Sequence, residues 1–599
     1  MTGDDLKIED AATAEGVPIA PAAGATIQAA RVPLERALID RRVLIISGWS
    51  IVLAIATGFV AQALVGIIGL VTNLAFYGRF STQFVSPAEN HLGWLVLFIP
   101  ALGGVIVGIM ARYGSKAIRG HGIPEAMEQV LLNESRIPAR VTFLKPLSAA
   151  ISIGTGGPFG AEGPIIATGG ALGSLIGQIF ETTPSERKTL LAAGAAAGMA
   201  ATFGSPVSAV LLAIELLLFE FRPRSIVPVA LASVAATAVR MLYVGTEPIF
   251  AMPLLARPSG EALAMYALVG AIVGWLAVYV TRAVYWIEDL FEHLPVHWMW
   301  WPAIGGLVVG AIGIFAPRTL GVGYDNIEGM VSGHLIGQAV LMLSIFKFIS
   351  WSISLGSGTS GGTLAPLFTI GGGCGVVLGE VFGRAFPHFG IDPRICALVG
   401  MAAMFAGASR ALLASVVFAF ETTLQPLGLL PLLGGCTAGY LVSSLLMRNT
   451  IMTEKLARRG VRVPSEYAAD YLDRILVADA CTRRVIALHD DQTVDEVHDI
   501  TATHQGFPVI DAGGRLIGVV TRRDFIDRDP NTPLRALIRR PPSVVFLDSS
   551  LRDAADHMVR ENVGRLPVVD RNAPDRVVGM ITRSDLLAAH ARRLEEDRT

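Results

Sequence analysis

Long apolar runs, separated by short polar or glycine-rich breaks, occupy the chain from about Val43 to Leu446. A helix needs about 20 mostly apolar residues to cross a bilayer, and several of these runs are long enough. The pattern therefore predicts a helical, polytopic membrane domain. The runs cover residues 43–76, 92–111, 189–219, 225–243, 262–287, 301–316, 335–350 and 411–447.

Two further apolar segments, residues 154–164 and 356–366, are interrupted by Gly and Pro. Backbone that is not helical at membrane depth is tolerated only where protein or a water-filled cavity surrounds it. Both segments lead into similar stretches, because residues 163–173 align with residues 365–375 at an offset of 202 and share a proline and several glycines. The alignment indicates an internal duplication.

A second pair of positions supports this duplication. Gly194 and Glu215 correspond to Gly400 and Glu421 at an offset of 206, and the stretches between them are Ala-rich and apolar in both halves. Weak duplication with interrupted helices in corresponding places is typical of transporters that bind their substrate at the repeat interface near the midplane. For the two glutamates we expect a structural role, as hydrogen-bond partners of a helix terminus.

Composition agrees with a membrane protein. Of the 599 residues, 52% are hydrophobic, and a formal net charge of −2 offers no basic surface for nucleic acid. The four cysteines are scattered, so they define neither a disulfide framework nor a metal site. Basic residues precede the first run and follow the second and the last, which predicts a cell-membrane protein with both termini in the cytosol. Residues 1–40 lack periodicity and are interpreted as a flexible cytosolic tail.

Three of the glycine-rich breaks, residues 120–124, 160–164 and 362–366, have the composition of a helix start. Pro suits the first helical turn, and Gly lets the backbone turn tightly before it. A helix N-terminus offers unpaired N–H groups and about half a positive charge, which can hold an anion without a full cation. One such break alone is better explained by a kink or by close helix packing. Three of them, two related by the repeat, predict a shared, weak anion site.

Glu162 is an ionisable residue within one of these breaks, among glycines and apolar neighbours. A carboxyl group at membrane depth is costly unless it has a partner or a function. As a carboxylate it can occupy the anion site, and once protonated it can leave and open the path. Competition between carboxylate and anion therefore predicts a gate. The alternative is a buried glutamate held by neighbouring amides without a part in transport.

After Arg448 the composition becomes that of a soluble domain with short Val/Ile strands and polar helices. A second repeat lies here, because residues 507–524 recur as residues 566–585. Each unit predicts a strand, a turn, a strand and a helix start where Thr is followed three residues later by Asp, an arrangement that caps helices. The two pairs are Thr521 with Asp524 and Thr582 with Asp585.

The breaks around Pro124, Glu162 and Pro366, in this order and with an internal repeat, resemble the CLC family of chloride channels and chloride/proton exchangers. The resemblance covers residues 41–460. It implies an all-α polytopic membrane domain with an inverted internal repeat, a homodimer with one pore per subunit, and transport of chloride or a similar small anion, with protons in the exchangers. It implies that Glu162 is the gating glutamate and that anion contacts lie at His121, Gly122, Ile123, Thr363, Leu364 and Met452.

The tail resembles a pair of CBS domains, residues 461–530 and residues 531–599, which form a soluble α/β module. In such domains the Thr and Asp of each closing motif can hold the ribose of an adenine nucleotide. The resemblance thus implies a regulatory nucleotide, whereas transport itself requires no cofactor and no metal. Helix capping alone, or a tail that serves only for dimerisation, is the alternative. The residues concerned are Thr521, Asp524, Thr582 and Asp585.

Three side chains depart from the family pattern. His121 stands where the family usually has Ser, Met452 where it has Tyr, and Leu216 where many exchangers have an internal proton-transfer glutamate. His121 could donate an N–H to the anion, replace the missing relay, or only face the cytosolic vestibule. Loss of the internal glutamate favours an uncoupled channel, with chloride/proton antiport as the alternative. Nitrate and fluoride are alternatives to chloride as the transported anion.

Two other classes are less compatible with the sequence. An intramembrane metalloenzyme needs His-Glu-x-x-His on a helix, but the nearest candidate pair, His293 and His297, has Pro295 between its members. A cation carrier would need several carboxylates along its path, and Glu162 has few acidic neighbours. We therefore predict a transport protein and not an enzyme.

Overall fold

The computed structural model describes residues 8–11, 17–18, 39, 41–461, 463, 472, 475–501, 505–571 and 576–596. The chain forms two compact units. One consists of residues 38–467, and the other combines residues 1–37 with residues 468–599.

The first unit is built from helices, as the apolar runs predict. Long helices alternate with short ones, and one helix begins at each of the three Gly-Pro breaks. Its α-helices are α1 Arg41–Thr72, α2 Ile99–Tyr113, α3 Ile123–Leu132, α4 Ala139–Gly154, α5 Glu162–Ile179, α6 Pro184–Phe203, α7 Pro206–Ala213, α8 Pro223–Val244, α9 Gly260–Glu292, α10 Trp301–Phe315, α11 Tyr324–Val331, α12 Gly337–Gly356, α13 Leu364–Ala385, α14 Pro393–Ser409, α15 Leu412–Thr423, α16 Leu429–Leu446 and α17 Glu454–Arg458.

Within the described residues, eight helices are long and apolar enough to cross a membrane. The predicted run 189–219 divides into α6 and α7, because Gly204 ends α6 in a left-handed conformation and Pro206 starts the next helix. The run 411–447 likewise divides into α15 and α16. The eight are Arg41–Tyr77, Gly93–Tyr113, Pro223–Val244, Gly260–Glu292, Trp298–Phe315, Gly337–Gly356, Leu364–Ala385 and Pro426–Leu446.

Equivalent helices of the two halves pack in the same way, which confirms the internal repeat. Helix α5 contacts α6 through Gly169 and Gly194, and each glycine lies against the other's carbonyl oxygen with no room for a Cβ. Helix α13 contacts α14 through Gly371 and Gly400 in the same manner. Small residues let helix backbones approach closely inside a membrane. The matching glycines of the sequence repeat are therefore packing positions.

The two halves meet around a pseudo-two-fold axis. Gly362 N donates to Gly160 O at 3.0 Å, and Gly160 N donates back to Gly362 O at 3.4 Å, as an antiparallel bridge. Helices α5 and α13 follow these two residues and so leave the axis in opposite directions. Helices α2 and α10 cross on the same axis, where Gly104 lies against Pro302 and Gly306 against Pro100. This arrangement is the inverted repeat that the family resemblance implies.

Two glutamates join the halves a second time. Glu215 accepts hydrogen bonds from the N–H groups of Leu413 and Ala414, both at 3.0 Å, at the start of α15. Glu421 accepts from Val207 at 2.9 Å and Ser208 at 2.8 Å, at the start of α7. A carboxylate is well suited to the unpaired N–H groups of a helix start. The structural role expected for both glutamates is confirmed.

The second unit contains two four-stranded sheets with strand orders β1-β3-β4-β5 and β2-β8-β7-β6. The pairs β3–β4 and β6–β7 are parallel, and the other neighbours are antiparallel. This confirms a repeated α/β module. Its elements are β1 Ile8–Ala11, β2 Val17–Pro18, α18 Val477–Ala480, β3 Val485–His489, α19 His498–Thr501, β4 Gly506–Ile510, β5 Leu516–Thr521, β6 Val545–Phe546, α20 Leu551–Arg560, β7 Arg565–Val569, β8 Arg576–Thr582 and α21 Arg583–Glu596.

Two short N-terminal strands differ from the flexible tail that the sequence suggests for residues 1–40. Strand β1 pairs with β3, and β2 pairs with β8. The physical reason is that β3 and β8 would otherwise present unpaired backbone groups at a sheet edge, which an extended segment can complete. Apart from these strands and Ile39, the predicted tail lies outside the described residues.

Candidate functional site

The structure brings the three predicted helix starts together. Gly120 forms a parallel bridge with Ser360, and Gly160 forms the antiparallel bridge with Gly362. Gly163 packs against the carbonyl group of His121 and the Cα atom of Gly362, which leave no room for a side chain at position 163. The N-termini of α3, α5 and α13 therefore converge on one buried region.

Glu162 is the first residue of α5 and is fully buried in this region. Its Oε1 accepts a hydrogen bond of 2.8 Å from the hydroxyl group of Tyr324. Its Oε2 lies against Gly160 and Gly362, where a Cβ on either glycine would crowd it. The carboxylate thus lies in the crevice between the starts of α5 and α13.

Three buried polar atoms at the converging helix starts have no hydrogen-bond partner among the described residues. They are His121 Nδ1, Glu162 Oε2 and Thr363 Oγ1. Buried polar atoms in proteins are nearly always hydrogen-bonded, and leaving one unpaired costs about 1–3 kcal/mol. Two of them, His121 Nδ1 and Thr363 Oγ1, can donate a hydrogen bond to an anion at these helix N-termini, whereas Glu162 Oε2, as a carboxylate oxygen, can only accept one.

The other predicted anion contacts differ in whether their N–H groups already have a hydrogen-bond partner. Ile123 and Leu364 are buried first residues of α3 and α13. The N–H group of Gly122, however, donates to Glu125 Oε2 at 2.7 Å, so this amide already has a partner. Met452 is fully buried in the main core, and its N–H donates to Thr450 Oγ1 at 3.2 Å.

Two buried lysines beside the site are missed by the sequence analysis. Lys145 Nζ donates to Ile118 O at 2.9 Å and Gly120 O at 2.8 Å. Lys347 Nζ donates to Thr319 O at 3.0 Å and Gly321 O at 2.8 Å. Lys347 also interacts electrostatically with Glu162. A signal was present, because both are cations within apolar segments at an offset of 202.

A cavity of about 510 Å³ opens beside the helix starts and is lined by His121 and by several charged residues. The Glu125 carboxylate in its wall is paired with Lys455 at 3.0 Å. The hydroxyl group of Tyr285, also in the wall, donates to the carbonyl of Ile451, next to Met452. His121 therefore lies between this cavity and the converging helix starts.

The closing motifs of the second unit have the predicted geometry. Asp524 Oδ2 accepts from the N–H of Thr521 at 2.8 Å and from its hydroxyl group at 2.7 Å. Asp585 Oδ2 accepts from the same two groups of Thr582 at 2.7 Å and 2.8 Å. In each pair, Thr and Asp bind each other, as a helix cap does.

A polar cleft of about 690 Å³ in this unit brings Thr521 and Asp524 together with arginines. Burial lowers the pKa of one of them, Arg565. Arginine is well suited to bind phosphate groups, so the cleft fits an anionic ligand such as a nucleotide. Thr582 and Asp585 are not among the described residues that line this cleft. The arginines are Arg522, Arg523, Arg539, Arg540, Arg565 and Arg583.

Comparison with known proteins identifies the class. Residues 103–444 match the family described as voltage gated chloride channel, and residues 477–531 and 534–592 match CBS domains. The chain therefore belongs to the voltage-gated chloride channel family, whose members transport anions, and carries two CBS domains. This confirms the resemblance drawn from the sequence.

Particular relatives agree with this assignment. The chain is 30% identical to the H(+)/Cl(-) exchange transporter ClcA of Yersinia pestis bv. Antiqua (strain Angola), over 61% of this chain and 78% of that protein. It is 32% identical to chloride channel protein CLC-f of Arabidopsis thaliana, over 57% of this chain and 46% of that protein. The structure of a slow cyanobacterial Cl-/H+ antiporter is similar, with a TM-score of 0.62, 25% identity, and coverage of 70% of this chain and 98% of the antiporter.

Proposed function

We propose that this protein moves chloride through the region where α3, α5 and α13 begin and that Glu162 is its gate. The observation that carries the proposal is the pair of buried, donor-capable atoms at these helix starts, His121 Nδ1 and Thr363 Oγ1, which have no hydrogen-bond partner within the part of the chain that the structure describes. A chloride ion in the crevice would accept from His121 and Thr363 and from the free N–H groups of the helix starts. The Glu162 carboxylate competes with it for the same place.

The gate follows from charge. The ionised carboxylate is attracted to the helix starts and to Lys347 and blocks the crevice, whereas a protonated carboxyl group loses this attraction. Protonation therefore frees the path for the anion. A high anion concentration favours the same outcome, because anion and carboxylate exclude each other.

For the transport mode we propose chloride/proton exchange, which differs from the channel favoured by the sequence alone. One relative is named an exchange transporter, and a similar structure is that of an antiporter. Leu216 is buried and cannot carry a proton, so the relay must use another group. His121 supports this role by its place between the cavity and the gate. An uncoupled channel is the second candidate, and Leu216 is the observation that favours it.

Purified protein in liposomes, with the voltage clamped by valinomycin, tests the function and its mode. We expect a chloride gradient to drive protons uphill, and Glu162→Gln to abolish proton movement while chloride flux continues. His121→Ser is expected to weaken coupling and leave chloride flux. Chloride flux without proton movement in the unmodified protein would establish the channel. If neither chloride nor fluoride or nitrate moves, the anion proposal fails.

For the second unit we propose an adenine nucleotide in the arginine-lined cleft, with regulation of transport as its effect. The cleft's arginines and the Thr521 hydroxyl group support phosphate and ribose binding. Isothermal titration of the full chain with ATP and AMP tests this, with Asp524→Asn and, as a matched control outside the cleft, Asp585→Asn. Equal affinity in both variants would contradict the assignment.

We also propose a homodimer in the cell membrane, with the CBS domains in the cytosol.

A further inference from the structure

We propose that Tyr324 is a positioning residue that holds the Glu162 carboxylate across the anion path. The role rests on the proposed gate. The direct observation is the hydrogen bond of 2.8 Å from the Tyr324 hydroxyl group to Glu162 Oε1. The two residues are 162 positions apart in the chain, so the contact depends entirely on the assembled fold.

The Tyr324 ring is held in place from two sides. Phe203 packs edge-on at a centroid distance of 5.8 Å, and Phe250 packs edge-on at 6.1 Å. Tyr324 is the first residue of α11, and Gly323 before it has a left-handed backbone with φ of 79°. The ring therefore has a defined position, and its hydroxyl group reaches the carboxylate without a rearrangement of the backbone.

The internal repeat explains why a side chain reaches the gate from this loop. Gly120, Gly122 and Ile123 correspond to Gly321, Gly323 and Tyr324 at an offset of 201. All four of these glycines have positive φ. Tyr324 thus stands where the first half has Ile123, at the start of the equivalent helix.

Hydrogen bonds of the two loops are equivalent as well. Gly120 N donates to Thr359 O at 3.0 Å, and Gly321 N donates to Gly156 O at 3.0 Å. Lys145 and Lys347 hold the carbonyl groups of the respective loops. Each loop of one half is therefore tied to the interrupted segment of the other half, and the second loop delivers a hydroxyl group to the gate.

The Tyr324 hydroxyl group stabilises the ionised form of the Glu162 carboxylate. A hydrogen bond to an ionised carboxylate is about twice as strong as one between neutral groups. The bond therefore favours the ionised, blocking carboxylate over the protonated one and must break before Glu162 can leave. Among charged and titratable groups nearby, Lys347 interacts electrostatically with Glu162 and also with Asp325, and the backbone carbonyl group of His121 packs against Gly163.

Chloride efflux from liposomes over a pH series tests the role. For Tyr324→Phe we expect the pH of half-maximal flux to rise by about one unit, a ten-fold shift between the two carboxyl states. Flux at neutral pH is expected to rise as well. Tyr266→Phe is the matched control, because its hydroxyl group is buried and bonded to Asp392 N at 3.0 Å. An unchanged pH profile in Tyr324→Phe, with the normal elution profile of folded protein, would overturn the proposal.

A double-mutant cycle separates this role from the gate itself. In a Glu162→Ala background, Tyr324→Phe is expected to change neither flux nor its pH dependence. If Glu162→Ala alone leaves the pH dependence intact, the proposed gate fails. If Glu162→Ala removes the pH dependence of flux, but Tyr324→Phe in the otherwise unmodified protein leaves the pH of half-maximal flux unchanged, only the positioning role fails. A shift of equal size in both backgrounds also contradicts it, because the hydroxyl group would then act without Glu162.

Discussion

Among single residues, Thr363 best separates function from stability. Its hydroxyl group is buried at the start of α13 without a partner among the described residues. Deleting an unsatisfied polar atom is expected to leave stability unchanged or raise it by about 1 kcal/mol, whereas deleting a ligand contact weakens binding. A residue kept for stability would show the opposite behaviour.

We therefore predict that Thr363→Val lowers chloride affinity roughly five- to ten-fold, the worth of one hydrogen bond of about 1 kcal/mol, without lowering the melting temperature. Isothermal titration with chloride and thermal melting in detergent measure the two quantities. Thr281→Val is the matched control, because Thr281 on α9 also has a buried hydroxyl group that finds no partner among the residues the structure describes. Loss of affinity in both variants, or in neither, would argue against a chloride contact at Thr363.

A second residue gives a pH dependence to the C-terminal unit. His557 on α20 is buried, and burial lowers the pKa of its imidazole. The unfolded chain then binds a proton more readily than the folded one, so stability is present above the unfolded pKa of about 6.5 and is lost as pH falls below it. We predict that protection of residues 551–560 from hydrogen exchange, corrected for intrinsic rates, decreases below that pH. His557→Leu should remove this decrease, and a persistent decrease would point to another group.

At the scale of helices, sequence patterns predict which segments are helical and where they break, because burial in a membrane demands complete backbone hydrogen bonding. The Gly-Pro breaks at residues 160–164 and 362–366 are helix starts as predicted. The hydroxyl group of Tyr324 could not be assigned, because its contact with Glu162 joins segments that are far apart in sequence. Lys145 and Lys347 carried a signal, as cations at matching places in two apolar segments, but the signal was missed. For Glu215 and Glu421 the sequence predicted the type of contact, a hydrogen bond to a helix terminus, but not which helix each carboxylate caps.

These two glutamates make a prediction about helices α7 and α15. Glutamine at either position keeps one acceptor oxygen but turns an NH2 group toward a helix N–H, so Glu421→Gln is expected to cost roughly 2–3 kcal/mol of stability. Glu215→Gln should cost a similar amount, since its bonds are equivalent. Unfolding in detergent measures both, with Glu247→Gln in an exposed loop as control. Stability equal to the control would contradict the capping role.

For the whole molecule, two short sequence matches were enough to predict the internal duplication, because the matched glycines are contacts between helices. The inversion of the two halves was implied by the family resemblance. The crossing of α2 and α10 on the axis was predictable in the same way but was missed. Residues 100–108 match residues 302–310 at the same offset of 202, with the proline and all three glycines identical. The N-terminal strands were missed because a segment of four residues can complete a sheet edge without a periodic signal of its own.

The α2–α10 crossing leads to a test of how the halves are held together. Gly306 lies against the backbone of Pro100, so a methyl group there must push the two helices apart, and Gly104 faces Pro302 in the equivalent way. We predict that Gly306→Ala and Gly104→Ala each cost about 1–3 kcal/mol, the usual penalty of overpacking. Melting in detergent measures this. Gly434→Ala on α16 is the matched control, since its surroundings are open, and alanine there should stabilise the helix by about 1 kcal/mol. If Gly306→Ala behaves like Gly434→Ala, close approach at the axis does not hold the halves together, and the bridge between Gly160 and Gly362 must carry that role with the two glutamate caps.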